Sequence, residues 1–372
     1  MSDIILRNKD VEHIMLASCK YSFYGFGEKK PEKNFCLLAL ADIHNGKAQL
    51  ASAVDYLNYY DAIDCGISLG DMQGANFAES DGSWYTSEVQ RAQKPFYTVL
   101  GNHDLGNSER MDISATKQMA FDKFFAPVKK QIGIDGLSTA YYVKYFDNYK
   151  IALIVLDNYD VPDDLNENGD FAIPRGREAF SQKQFDWLIK PLAEIKSDYH
   201  VMIAMHDFRD RKKPLACAFT HEDVKADVRQ EAVLYGNSHI LPSIINAWIN
   251  GEKLCAEYLP CEGIKLPILR INCDFSKRGK GNFICYLCGH LHCDVIAVDE
   301  KYENQHIVCL APAAMDFSRN CHSDLPRAEG TKSEDLLTTV SVDTKTREIR
   351  LVRIGSNYTT GLKERSCFVK RY

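Results

Sequence analysis

The stretch Phe283-Ile284-Cys285-Tyr286-Leu287-Cys288-Gly289-His290-Leu291-His292 decides how this chain is read. Six apolar residues run without a break into a glycine and two histidines. A continuous apolar run of this length reads as a strand buried on both faces. Four other runs end in the same way. Phe35–Ala41 leads into Asp42-Ile43-His44, and Ile63–Leu69, interrupted by Asp64, leads into Gly70-Asp71. Phe96–Leu100 leads into Gly101-Asn102-His103-Asp104, and Val201–Met205 into His206-Asp207. In open α/β sheets, ligands bind outside the carboxyl ends of the strands. The five polar endings are therefore expected to meet at one site.

Working outward, helices fill the gaps. Gln49–Tyr60 places Leu50, Val54 and Leu57 on one face. Ser181–Leu192 opens with a capping box at Ser181 and Gln184, with Phe180 and Phe185 at staple positions. Pro191 is expected to end or kink it. Ala140–Phe146 and Tyr149–Leu156 flank Asp147-Asn148 as a hairpin, and Thr338–Val342 and Glu348–Ile354 form a second. The expected organisation is an extension over 1–34 and a domain over 35–372. Residues 208–281 lack clean strand–helix alternation and read as an insertion, either a cap over the site or an irregular side of the core.

The 372 residues carry 45% hydrophobic and 26% charged side chains with a net charge of -6. These values exclude disordered and low-complexity classes. No apolar stretch approaches the ~20 residues of a membrane helix, and the first ten residues lack signal-peptide features. Several of the 13 cysteines sit inside apolar runs. Buried free thiols are expected, which points to the cytoplasm.

The chemistry of the endings is that of metal binding. Asp, His and Asn oxygen and nitrogen donors suit Mn, Fe or Zn, and the sequence does not choose among them. In an extended segment Asp42 and His44 would share one side, as would His290 and His292. Asp42, His44, Asp71, Asn102, His206, His290 and His292 are seven candidate ligands. That is too many for one ion and suits two that share a carboxylate. A pair of ions ~3.5–4 Å apart is an arrangement for in-line displacement at phosphorus.

In order, these motifs resemble the calcineurin-like metallophosphoesterases, whose pattern is DxH, GD, GNH followed by an acid, a lone His, then GHxH. The resemblance covers about residues 35–295, and Ser181–Leu188 is similar to the family's helix start. It implies a four-layer α/β/β/α sandwich of two mixed sheets with flanking helices, one sheet extended by the C-terminal hairpin. It implies that Asp42, His44 and His292 bind one ion, that Asn102, His206 and His290 bind the other, and that Asp71 bridges. His103 would assist the leaving group, with Asp104 orienting its ring. The implied activity is hydrolysis of a small phosphomonoester or phosphodiester by a metal-bound hydroxide. Met72-Gln73-Gly74 follows Asp71, so the substrate arginine of the protein phosphatases is missing. His44 replaces the glycine of purple acid phosphatases. Asp207 stands where many relatives carry Pro.

Two other functions compete with this one. A nuclease needs a basic groove, which the net charge opposes, so nucleic acid is not the expected partner. A non-catalytic metal-binding interaction module is opposed by the intact ligand set and His103. Arg209, Arg211, Lys212 and Lys213, and separately Lys277, Arg278 and Lys280, would draw in an anionic substrate if their loops rim the site, though solvated surface is the commoner case. Asp160, Asp163, Asp164, Glu167 and Asp170 read as a solvated acidic loop. Cys285 and Cys288 read as buried strand residues, and Cys255, Cys261 and Cys273 lack zinc-site spacing. Oligomeric state has no signature in the sequence.

Overall fold

A computed structural model describes residues 34–74, 76–208, 237, 240–259, 266–292, 294–299, 301–314, 327–331, 334–355 and 367–372. In chain order the elements begin with β1 (Phe35–Leu40), α1 (Lys47–Tyr59), β2 (Cys65–Ser68), α2 (Ser83–Gln90) and β3 (Phe96–Thr98). Then come α3 (Lys117–Phe124), α4 (Lys129–Ile132), β4 (Tyr142–Phe146), β5 (Ile151–Val155), α5 (Gln182–Glu194) and β6 (His200–Ala204). The remainder is α6 (Ile240–Asn250), β7 (Lys253–Tyr258), β8 (Leu269–Asp274), β9 (Asn282–Cys288), β10 (Val295–Val298), β11 (His306–Cys309), β12 (Leu336–Asp343), β13 (Glu348–Gly355) and β14 (Cys367–Arg371).

Two six-stranded mixed sheets form the frame, in the orders β14-β13-β12-β1-β2-β3 and β10-β11-β9-β6-β5-β4. β1, β2 and β3 are parallel, as are β5, β6, β9 and β11, and antiparallel strands flank each parallel set. The sheets face each other: the Phe35 ring lies 4.7 Å from Phe146, and Tyr142 Oη donates to the Thr98 carbonyl at 2.9 Å. Period-two alternation divides β5. Ile151, Leu153 and Val155 enter the core shared with the first sheet, while Ala152 and Ile154 pack with α5 and α6. Both faces are buried, so the run carries no polar residue. β9 differs by a bulge. Val201 and Met202 of β6 pair with Phe283 and Cys285, so Ile284 and Cys285 both face inward. Cys288 faces the outer core, opposite Cys285. Seven cysteines among the described residues are free thiols.

α5 begins as its sequence directs. Ser181 Oγ accepts from the Gln184 amide at 3.1 Å, and the Phe180 and Phe185 rings lie 5.2 Å apart. Pro191 does not end the helix, which runs on to Glu194. The described part of 208–281 contains α6 and the β7–β8 ribbon. Trp248 of α6 is fully buried and donates its ring N–H to the Leu192 carbonyl at 2.8 Å, fixing α6 against α5. Among the described residues no helix is long and apolar enough to cross a membrane.

Candidate metal centre

The loops that follow β1 and β2 are zipped together by main chain. The amides of Asp42, His44 and Asn45 donate to the carbonyls of Gly70, Asp71 and Met72 at 3.2, 2.9 and 3.0 Å. Left-handed backbone, which residues other than glycine rarely adopt, occurs along this pairing and again in the loop after β9. Asp42 (φ 49°), His44 (φ 41°), Asp71 (φ 53°), His290 (φ 66°) and His292 (φ 52°) all lie there. The extended alternation expected for Asp42-Ile43-His44 and His290-Leu291-His292 is therefore corrected. These segments are curled, because each must bend around neighbouring chain at a strand end. Backbone strain of this kind concentrates where function over-determines geometry. Two glycines of the motifs answer to close approach. A Cβ on Gly101 would stand 2.2 Å from Asp71 Oδ1, and one on Gly70 would stand 2.4 Å from His206 Nδ1.

The seven candidate ligands come together, from positions up to 250 residues apart. Asp42, His44, Asp71 and His292 form one group whose donor atoms lie within 4.8 Å of one another. Asp71, His206 and His290 form a second, and Asp71 belongs to both. Asn102 joins the second group, its Oδ1 3.1 Å from His290 Nδ1. Within the groups, His206 Nε2 is 3.3 Å from Asp71 Oδ2 and 3.2 Å from His290 Nδ1. His44 Nε2 is 3.2 Å from His292 Nε2, which is 3.4 Å from Asp42 Oδ1. A ~2.1 Å ligand bond sets neighbouring donors ~3.0–3.4 Å apart between right-angled and tetrahedral geometry. The donor set thus fits divalent ions in both spacing and chemistry.

Partners outside the cluster decide which ring nitrogen faces in. His206 Nδ1 donates to the Leu69 carbonyl at 2.7 Å and His44 Nδ1 to the Gln73 carbonyl at 3.2 Å, so both turn Nε2 inward. Burial would lower the His206 pKa, but the Asp71 carboxylate outweighs it and holds it at about 10. Burial opposes ionisation of Asp71 as well, yet His206 and His103 draw it well below the ordinary carboxylate value. For His44, burial prevails over Asp71 and Asp42, and its pKa falls. For His292, the bond to Asp42 overcomes burial and the pKa rises. The field that favours a proton on His206 Nε2 favours a metal cation in its place.

His103 borders the cluster. Its Nε2 is 3.9 Å from Asp71 Oδ2, and its side chain is 23% exposed, which leaves a path to solvent. Asp104 takes a different place from the one expected. Its carboxylate accepts the amides of Gly101 and Met72, each at 2.8 Å, rather than meeting the His103 ring. Burial and the nearby Asp71 push its pKa up to about 8. It clamps the loops after β2 and β3 together, because a 3-10 turn beginning at His103 points it back into the protein.

Other charged residues singled out by the sequence lie elsewhere. Lys277, Arg278 and Lys280 lead into the start of β9, whereas His290 follows its end, ~20 Å away at strand rise. They are not at the site. Arg278 stacks 4.6 Å over Trp248 and donates to the Ile195 carbonyl. In the acidic loop, Asp160 is buried with Lys117 at 2.7 Å, and Asp163 meets Arg175 at 2.7 Å. Arg209, Arg211, Lys212, Lys213 and Cys261 lie outside the described residues, as does the extension up to residue 33.

Sequence reasoning missed Asn158. It follows β5 and is fully buried. Its Oδ1 accepts the His206 amide at 2.8 Å, and its Nδ2 donates to the Asp207 carbonyl at 2.8 Å. The signal was present, since the Ile151–Leu156 run also ends in polar residues, Asp157-Asn158.

This fold and its paired Asp/His groups define a phosphoesterase class. The chain belongs to the calcineurin-like phosphoesterase family, whose model matches residues 37–294. Among solved structures, it is similar to a dimetal phosphatase from Danio rerio, at 13% identity and TM-score 0.52 over 92% of this chain and 100% of that one. A phosphopantetheinyl hydrolase from Mycobacterium tuberculosis aligns over 77% of this chain and 91% of its own, at 13% identity and TM-score 0.36. At 13% identity the first likeness speaks to the fold alone. No curated protein matches the chain.

Proposed function

We propose that this protein is a dinuclear metal-dependent phosphoesterase acting on a small phosphomonoester or phosphodiester. The observation that carries this reading is Asp71, whose carboxylate belongs to both donor groups. In this reading Asp42, His44 and His292 hold one ion, Asn102, His206 and His290 hold the other, and Asp71 lies between. Mn, Fe or Zn each suit the donors. When bound, such ions acidify water and neutralise charge on a phosphoryl group. His103, partly open to solvent, protonates the departing oxygen from Nε2. Asp104 is a positioning residue that keeps the Asp71 and His103 loops in register. Residues 35–372 form the catalytic domain in this reading, with 1–34 an extension and 208–281 an insertion. Free buried thiols support a cytoplasmic location.

The test is hydrolysis of an aryl phosphomonoester and the matching diester, with added Mn, with chelator, and with His103→Asn. Turnover should require metal and fall ~10²–10⁴-fold in the variant. Turnover that survives both chelation and His103→Asn would refute the reading.

A further inference from the structure

We propose that Asp207 is a positioning residue for the second pocket: its carboxylate holds the His290 ring so that Nδ1 is the nitrogen presented to the ion. The inference rests on the two-ion reading above. His290 Nε2 lies 3.5 Å from Asp207 Oδ2. The opposite nitrogen, Nδ1, faces Asn102 Oδ1 at 3.1 Å and His206 Nε2 at 3.2 Å. His290 is thus oriented in the reverse sense to His44 and His206, which present Nε2 and are steered by backbone carbonyls.

Asp207 is itself fixed. It is 3% exposed, and Asn158 grips its main chain on both sides, accepting its amide at 3.2 Å and donating to its carbonyl at 2.8 Å. Glu178 accepts from the same Asn158 amide group at 3.2 Å. Beyond it, the Phe208 ring stacks on Tyr286 at 4.3 Å, which anchors the chain leaving β6. Burying a carboxylate is costly unless it meets a partner, and the His290 ring, with Nε2 3.5 Å from Oδ2, is placed to be one. A carboxylate on the outer nitrogen of a ligating imidazole fixes its tautomer and raises its basicity. Consecutive residues at the end of β6 thus serve one pocket: His206 faces it directly, and Asp207 acts through a histidine 83 positions later.

The test is a calorimetric titration of the full chain with Mn. Wild type should take up two ions. Asp207→Asn should keep one affinity unchanged and weaken the other ~10–100-fold. Two unweakened sites in the variant overturn the inference alone. Fewer than two ions in wild type overturn the two-ion reading, and this inference with it. A second measurement needs no variant. In zinc-loaded wild type, ¹⁵N histidine spectra should show His290 with a protonated Nε2 and a metal-shifted Nδ1. Zinc on Nε2, or an unprotonated Nε2, would overturn it too.

Discussion

The two pockets share Asp71 but are held in unlike ways. In the first, support comes from main chain. The Gln73 carbonyl steers His44, and the His290 amide donates to both Asp42 oxygens at 3.0 and 2.9 Å. In the second, the Leu69 carbonyl steers His206, but side chains do the rest. Asp207 faces the His290 ring, and Asn158 ties down the chain that carries both His206 and Asp207. Main-chain support survives substitution of the residue that supplies it, whereas side-chain support disappears with it. The first pocket is therefore expected to break chiefly through its own ligands, the second also through its neighbours.

The substitution with the largest expected effect removes the comparison altogether. Asp71→Ala takes a ligand from both pockets. Both affinities, measured by calorimetry, should fall further than the ~10–100-fold that an outer partner costs. One pocket left at full affinity would show that the carboxylate is not shared.

Asn158→Ala sharpens the comparison. It strands the buried His206 amide and the Asp207 main chain, a loss of about 2–4 kcal/mol at the usual cost of unsatisfied buried groups. Thermal unfolding of the metal-free protein should show the drop. Metal titration should show weakening in one site only. Equal weakening of both would mean that the pockets are not separately supported.

The smallest effect lies behind the first pocket. Lys123 donates to Gln73 Oε1 at 2.8 Å, and burial lowers its pKa from 10.5 to about 8. Between those values the unfolded chain binds a proton that the folded chain does not, so stability rises with pH across that window. Below about pH 8 both states are protonated and the burial penalty is present in full. Wild type should gain about 1 kcal/mol over the window, after allowing for solvent screening. Denaturant unfolding of Lys123→Met should lack that gain. A variant whose pH profile matches wild type would show that Lys123 is not desolvated in the folded protein.

Much of the frame was legible because it is written locally. Five apolar runs ending in Asp, Asn or His mark strands and their functional ends within ten residues each. The capping signal of Ser181 and Gln184 depends only on neighbours in one helical turn. Asn158 and Asp207 were harder. Asp207 has no local signature, because its contact is with a histidine that follows another strand. The role expected for Asp104 was wrong for the same reason: adjacency to His103 says nothing about which way a 3-10 turn aims it.

The sequence by itself determined the candidate donors, since metal chemistry accepts few side chains, and it determined the strands that bear them, since a doubly buried strand tolerates few polar residues. Only the tertiary structure decided the left-handed backbone, the inward nitrogen of each histidine and the separation of His290 from His292. Those follow from contacts such as that of Asp42 with the His290 amide, 248 residues away. Such contacts exist only once two sheets have packed and their loops have been forced around one another.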